Sequence, residues 1–593
     1  MLRNADSIWR TRATFAAATP ARREGIAQRR CFARVVDLEL EDMEGRGGWQ
    51  DERHAPPATT RRTGRASHAY MGVISTQSPK ITKIQELISN IKPEAMRAST
   101  RPTSHPSLLT VLTTPSYAKH ALSSGLPTEI LERFGDNPTR SKPLDAIVAV
   151  VDRLPLPAGS LKGTEGLAYA FAPDPGRQLS STPVPLNTSA QKPGTLSFAL
   201  PPVAELTSVK PRNTVTTIQI PLAQTIFSNG LPSTLVHSHY HFDPLSGALR
   251  KSASQRLESQ TLDLYVGSQP TELAASIPLI PLTPLREVQH SMGNIIQKVS
   301  LSQFPERSLE SEVPNGRKAH GLARAEDEQP TLVPASQELE EAVSDYFRFV
   351  GIAPQPVQVW AVILTASARE SINRRAGTDE VHKATKRLLA SEEEGVRQQW
   401  ASTGIERGLS SAILEVIGQG GRLCRVLSGG GGWGKKAGLL SLDPDVEYST
   451  RDLRGETGWK FDFEGDDSFE AVQRQRREAL GEIVREGDGV MFLLAPKDVQ
   501  RDALAPQKSQ STPGCAVTLG VVPSSINEYA SSSPSDNGHT SKIANELEHH
   551  ANFFGMLSEG GLAISVTGPS DNVLTQSKMD VPFQQLSVIE KGE

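Results

Sequence analysis

Apolar positions in the first half of the chain come in short β-branched runs separated by prolines. Residues 141–300 contain 18 prolines, and runs bounded by Pro and Gly predict strands joined by irregular loops. The predicted strands are Ala146–Val151, Gly166–Phe171, Thr195–Leu200, Thr214–Ile220, Thr234–His241 and Leu262–Val266. We therefore interpret residues 71–300 as a proline-rich region that contains β-structure.

A helical period replaces this pattern after residue 335. Apolar residues from Leu339 to Val350 recur on one face of a predicted helix, and Gly351 stands where a left-handed C-terminal cap belongs. A second helix is predicted over 405–417 and a third over 468–487. Buried strands are predicted at Leu423–Leu427, Val490–Leu494, Cys515–Val522 and Leu562–Val566. This alternation predicts that residues 336–593 form an α/β domain, a mostly parallel sheet with flanking helices.

The remaining segments lack apolar periodicity. Residues 301–335 are polar and predict a linker, and two stretches near 497–513 and 524–540 predict surface insertions in the α/β domain. Residues 37–70 have the low apolar content of a disordered segment. The α/β domain would thus follow an irregular β-containing region and a disordered N-terminus.

Residues 1–36 combine eight arginines with two acidic residues, which gives a net charge of +6. An arginine-rich, acid-poor start is typical of a mitochondrial transit segment. We therefore predict a mitochondrial matrix location, with the cytoplasm as the alternative if translation begins at Met71.

Composition excludes several classes of function. The net charge of −4 over 593 residues argues against nucleic acid as a partner. The longest apolar stretch, Val359–Ala368, is about half of what a bilayer requires, so no transmembrane helix is predicted. Cys31, Cys424 and Cys515 lie too far apart in sequence for a disulfide framework or a cysteine zinc site.

The most distinctive block runs from Ser428 to Lys436 and contains five glycines. Uncovered backbone N–H groups of successive glycines can converge on a phosphate or a carboxylate. The candidate ligand-binding residues are Ser428, Gly429, Gly430, Gly431, Gly432, Gly434 and Lys435. The block fits G-x-x-x-x-G-K, but Lys436 stands where a magnesium-binding Ser or Thr is required. The alternative is a tight structural loop.

Residues 428–445, including SGGGGWGKK and GLLSLDP, resemble a block in uncharacterised proteins of filamentous fungi. The resemblance covers about 3% of the chain. It implies a eukaryotic origin and no established activity, so no catalytic role is carried over.

Histidines occur in two clusters. His237, His239 and His241 alternate, so on a strand they share one face and neighbouring pairs could bind zinc. The sequence offers no further ligand at a recognised spacing, so we interpret them as a surface set and assign no metal site. His549 and His550 are placed on a short helix with Glu546.

No catalytic residue and no cofactor are assigned from the sequence, and whether the protein is an enzyme stays open. The leading interpretation is a non-catalytic mitochondrial protein that binds a protein partner or acts in assembly. The alternative is a protein or enzyme that binds a small anion or nucleotide at residues 428–436.

Overall fold

In the computed structural model of this chain, strands account for 49% and helices for 25% of the residues that the structure describes. The chain divides into two units, residues 1–63 and 64–593, and all described residues belong to the second unit. The described residues are 70–92, 106–123, 125–134, 143–157, 161–173, 181–183, 194–200, 215–243, 245, 248–264, 271–301, 331–374, 380–401, 407–429, 438–445, 483–496, 515–523, 547–567 and 573–590. The predicted transit segment, the two predicted insertions and most of the predicted disordered segment and linker lie outside these residues.

The strands are numbered in chain order: β1 (Tyr70–Thr76), β2 (Pro106–Thr113), β3 (Leu144–Val150), β4 (Glu165–Pro173), β5 (Ser181–Pro183), β6 (Thr195–Leu200), β7 (Val215–Pro221), β8 (Leu235–Asp243), β9 (Ala248–Asp263), β10 (Thr271–Ser276), β11 (Ile280–Pro281), β12 (Arg286–Met292), β13 (Ile295–Ser300), β14 (Leu332–Pro334), β15 (Gln358–Leu364), β16 (Arg422–Gly429), β17 (Leu440–Leu442), β18 (Gly489–Ala495), β19 (Ala516–Val521), β20 (Leu547–Ala551), β21 (Phe553–Ser558), β22 (Leu562–Thr567), β23 (Val573–Met579) and β24 (Gln585–Glu590).

The helices are α1 (Ile84–Ser89), α2 (Ala118–Ala121), α3 (Gly125–Arg133), α4 (Ile226–Asn229), α5 (Ala335–Val350), α6 (Ala366–Arg374), α7 (Glu380–Leu389), α8 (Glu393–Ala401) and α9 (Arg407–Gly418), with a 3₁₀ turn at Pro115–Tyr117. Among the described residues, no helix has the length and apolar character needed to cross a membrane.

A large mixed sheet contains the strands in the order β20–β1–β4–β2–β3–β8–β9–β6–β7–β22–β23, with β5 paired to β9. Helices α1 to α3 pack on one face of the β1–β4–β2–β3 part. The opposite face contributes to a large core together with the four-stranded sheet β10–β24–β19–β21 and helix α9. The sheet is therefore covered on both faces where these layers overlie it.

Six strands close into a barrel in the order β18–β12–β13–β17–β16–β15, and β15 pairs back to β18. β11 pairs with β18, and β14 pairs with β13 at the outside of this ring. The side chains inside the barrel form a separate core that also includes one face of α5. The outer faces of β15 and β18 belong to the large core.

The predicted α/β fold is wrong, because the C-terminal strands form a barrel and mixed sheets instead of a helix-flanked parallel sheet. The prediction relied on the alternation of strands with amphipathic helices along the chain, which does not show which strands pair. In β15, Trp360 points into the large core while Val359 and Ala361 point into the barrel. Strand β15 is therefore buried on both faces, as a strand of a helix-flanked parallel sheet would be, but it belongs to a barrel wall.

The sequence predicted individual strands and helices more accurately than it predicted the architecture. The six predicted N-terminal strands correspond to β3, β4, β6, β7, β8 and part of β9, and the four C-terminal ones to β16, β18, β19 and β22. The helix predicted after residue 335 is α5. Gly351 caps its C-terminus with φ +74°, and the Gly351 N–H donates a hydrogen bond to the Phe347 carbonyl. The helix predicted over 405–417 is α9.

Strands from both sides of residue 300 pair with each other. β7 pairs with β22, and β12 pairs with β18. The two regions named in the sequence analysis thus contribute to common sheets, and their exact boundaries stay predictions.

A buried ion cluster joins the barrel to the last strand of the large sheet. Lys578 Nζ on β23 lies 2.5 Å from Oδ2 of Asp443 and 3.6 Å from Oδ2 of Asp580. The side chains of these three residues are at most 13% exposed. Trp360 Nε1 of the barrel donates a hydrogen bond of 2.9 Å to Oδ1 of Asp580. The lysine therefore neutralises two carboxylates at the junction of barrel and sheet.

Replacing Lys578 by Met is expected to lower the free energy of unfolding by about 3–5 kcal/mol, because Asp443 and Asp580 would remain buried without their cation. Urea-induced unfolding measures this loss. The matched control is Lys383→Met, which removes an exposed ion pair to Glu380 and should cost less than about 1 kcal/mol. Equal losses in the two variants would contradict a structural role for the cluster.

Candidate functional site

The glycine block predicted to bind an anion joins two antiparallel strands, β16 and β17. Ser428 and Gly429 end β16, whereas Gly430, Gly431, Gly432, Gly434 and Lys435 lie outside the described residues. After the block, Gly438 has φ +88° and the chain enters β17. A phosphate-binding loop of the G-x-x-x-x-G-K kind leads into a helix, and the described residues 438–445 contain none. Anion binding by the loop stays a prediction.

The alternate histidines lie on a strand, as the pattern required. β8 is an antiparallel neighbour of β3, and His239 is directly opposite Asp145. Nδ1 of His239 is hydrogen-bonded to Oδ1 of Asp145, and Nε2 of His237 lies 3.5 Å from the same oxygen. One ligand atom from each of the three residues can be chosen so that all lie within 4.8 Å of one another. Sequence analysis missed Asp145, because it precedes His239 by 94 residues.

Electrostatics keep this carboxyl group ionised. Burial, the largest single influence, raises the pKa of Asp145, but His237 and His239 together outweigh it and lower the pKa below its ordinary value. The three side chains together can offer a cation one carboxylate oxygen and two imidazole nitrogens as ligand atoms.

A groove of about 1230 Å³ lies beside the barrel, and we call it the helical groove. Its walls come from α5, α6, α7, α8 and the segments at 282–286 and residue 301. Six acidic residues line it: Glu338, Glu341, Asp345, Glu392, Glu393 and Glu394. Four basic residues line it: Arg286, Arg369, Lys386 and Arg397. The groove is therefore acidic on balance.

Arg286 anchors one wall of the helical groove. Its side chain is 8% exposed, and its Nε donates to Oε1 of Glu338 over 2.8 Å. The other guanidinium nitrogens donate to the Leu301 carbonyl and to Glu393. Burial raises the pKa of Glu338, although the Arg286 charge opposes that change. The Arg286 guanidinium is therefore already hydrogen-bonded to oxygens of the protein. The remaining acidic residues of the groove determine the charge that a ligand meets.

An aromatic cluster lies at another part of the groove. Trp400 lines the groove, donates from Nε1 to the Pro281 carbonyl over 2.7 Å, and meets the rings of Tyr346 and Phe349 edge-on. Phe349 is 50% exposed, and Val350 and Ile352 beside it are also exposed. An accessible apolar surface therefore adjoins the acidic groove through Trp400.

A tyrosine–histidine pair lies near the β20 edge of the large sheet. Tyr169 Oη and His549 Nε2 are 3.0 Å apart. His549 is on strand β20, so the helix predicted for this segment is wrong. Gly72 between the rings has no space for a side chain, since a Cβ atom there would lie 2.6 Å from Tyr169 Oη and 2.8 Å from His549 Nε2.

Both members of this pair are neutral near pH 7. Burial raises the pKa of Tyr169 above its ordinary value. Burial, helped by the positive charge of Lys92 and by His550, lowers the pKa of His549 to about 4. The contact is therefore a hydrogen bond between uncharged groups.

Comparison with known proteins adds no assignment. No protein-family model, curated protein or solved structure matches this chain.

The lowered pKa of His549 predicts a loss of stability in acid. The folded form favours the neutral imidazole, so this contribution to stability is present above pH 6.5 and is lost as the pH falls through about 4. The shift corresponds to roughly 3 kcal/mol, and solvent screening of a partly exposed ring reduces the expected loss to about 1–2 kcal/mol. Urea unfolding at a series of pH values measures it.

His549→Gln should flatten the stability profile between pH 6.5 and 4, because the titrating group is gone. The exposed His120 provides the control, and His120→Gln should retain the wild-type profile. An unchanged slope in His549→Gln would contradict the burial of a neutral imidazole.

Proposed function

We propose that this protein is a non-catalytic binding protein whose helical groove receives a basic, amphipathic segment of a protein partner. The observation that carries the proposal is an acidic groove that Trp400 lines, with the exposed ring of Phe349 packed against that tryptophan. The proposal agrees with the partner-binding interpretation of the sequence and gives that partner a chemistry.

The size of the groove supports a peptide rather than a small metabolite. Pockets for small molecules typically measure about 300–1,000 Å³, and the helical groove exceeds this at about 1230 Å³. Grooves between helices commonly receive an amphipathic helix, whose apolar face supplies the anchoring side chains.

Charge and apolar surface specify the two faces of the partner. Six acidic lining residues exceed four basic ones, and Arg286 is neutralised by Glu338 and Glu393. Lysine or arginine side chains of a partner would therefore be attracted to the walls. Exposed Phe349 against Trp400 offers a surface for a leucine or an aromatic anchor.

The mitochondrial address is part of the same proposal and rests on the arginine-rich residues 1–36 alone. The cytoplasm is the alternative location. The anion-binding alternative rests on the sequence of the glycine block.

A labelled peptide of about 18 residues, with lysines on one helical face and leucines on the other, tests the groove by fluorescence anisotropy on the full chain. The double substitution Glu341→Arg, Glu394→Arg should weaken binding by roughly tenfold or more, about 1.4 kcal/mol or more. The affinity of the wild type should fall as salt is added, since the attraction is between partly exposed charges.

Glu132→Arg on α3 is the matched control, because Glu132 is an exposed acid outside the groove. This variant should bind like the wild type. A second arm, Phe349→Ser, should also weaken binding without changing its salt dependence. Equal binding of the same peptide with glutamates in place of lysines would refute the proposal.

A further inference from the structure

The second site with ligand-binding geometry lies on the large sheet and is independent of the helical groove. It consists of Asp145 on β3 and of His237 and His239 on β8. Their side chains are 37%, 14% and 51% exposed, respectively. The cluster is therefore accessible from solvent on one side and enclosed on the other.

Strand geometry places the three side chains on one face. His237 and His239 are two residues apart on β8, so both project to the same side of the sheet. Asp145 is opposite His239 and diagonal to His237, whose partner is Ile147. Cross-strand and diagonal neighbours are within reach of long side chains. The two imidazole rings have centroids 4.4 Å apart.

The separation of the ligand atoms matches what zinc requires. Zinc binds histidine nitrogen at about 2.0–2.1 Å and carboxylate oxygen at about 2.0–2.2 Å in a tetrahedron, which places neighbouring ligand atoms roughly 3.4 Å apart. Nε2 of His237 is 3.5 Å from Oδ1 of Asp145, and a set of ligand atoms from all three residues lies within 4.8 Å. Small side-chain rotations therefore bring them to coordination distance.

One ligand atom is also buried without a good hydrogen bond. Nε2 of His237 is shielded from solvent, and its 3.5 Å contact with Oδ1 of Asp145 is too long for a good hydrogen bond. A buried polar atom without a good hydrogen bond is destabilising. A metal at this position would give that nitrogen its partner.

The strand next to β8 is irregular beside His239. β9 carries one extra residue opposite His239 and Tyr240, which is a β-bulge. Ser252 in this bulge donates to the backbone carbonyl of His239 over 3.1 Å. Bulges commonly re-aim side chains at functional positions.

We propose that Asp145, His237 and His239 bind one divalent transition-metal ion of the zinc type, with water as the remaining ligand. Three protein ligands and an exposed fourth position is the arrangement of zinc sites that remain open to solvent. The ion would link β3 to β8 across the sheet.

Zinc titration of the full chain against a chromophoric chelator tests the proposal. The wild type should bind one more Zn²⁺ per chain than His239→Ala or Asp145→Asn. If the number of ions is equal, the wild type should bind one of them with much higher affinity. Substituting a residue that hydrogen-bonds to a metal ligand already weakens metal binding by about 10–100-fold, so loss of a direct ligand should weaken it by at least about 100-fold. Both substitutions are at partly exposed side chains, and circular dichroism confirms that the variants fold.

His241→Ala is the matched control, because His241 is an exposed histidine on the same strand and outside the cluster. It should retain wild-type zinc binding. A second readout is thermal stability, which zinc should raise in the wild type and in His241→Ala but not in His239→Ala. Equal zinc binding by wild type and His239→Ala, or an equal loss in His241→Ala, would overturn the assignment.

Discussion

Burial of β15 and β18 on both faces is the constraint on which the other layers depend. One face of each strand fills the barrel, and the other lies in the large core with the mixed sheet and α9. A strand in this position has no solvent face, so its sequence is continuously apolar. Its outer face is covered by strands of the large sheet, by the four-stranded sheet and by α9. The barrel and the large sheet therefore share one hydrophobic core.

The candidate sites lie at the margins of this doubly buried region. The helical groove forms where α5 to α8 surround the barrel strands, and its buried Arg286–Glu338 pair connects β12 to α5. The Asp145–His237–His239 cluster lies on the large sheet, on the paired strands β3 and β8. Apolar packing fixes the backbone in both places, and the polar side chains at the edges are left to meet ligands.

Sequence patterns predicted the individual elements well, because strand and helix periods are local. The runs at Val490–Leu494 and Thr195–Leu200 and the cap at Gly351 are examples. The predicted architecture was wrong because the order of strands and helices along the chain does not show which strands pair with each other. The histidine face was predicted, but Asp145 was not, since strand pairing between β3 and β8 is a long-range property that a single sequence does not reveal. Arg286 and its carboxylate partners were missed for the same reason.

The central claim is that this topology, which places β3 beside β8, assembles function from residues far apart in sequence. A crystal of the full chain soaked in zinc, with diffraction recorded at the zinc absorption edge, tests it most directly. The account predicts an anomalous peak at coordination distance from Asp145, His237 and His239, on adjacent antiparallel strands. A map in which β3 and β8 are not neighbours, or in which no zinc lies between these three residues, would contradict it.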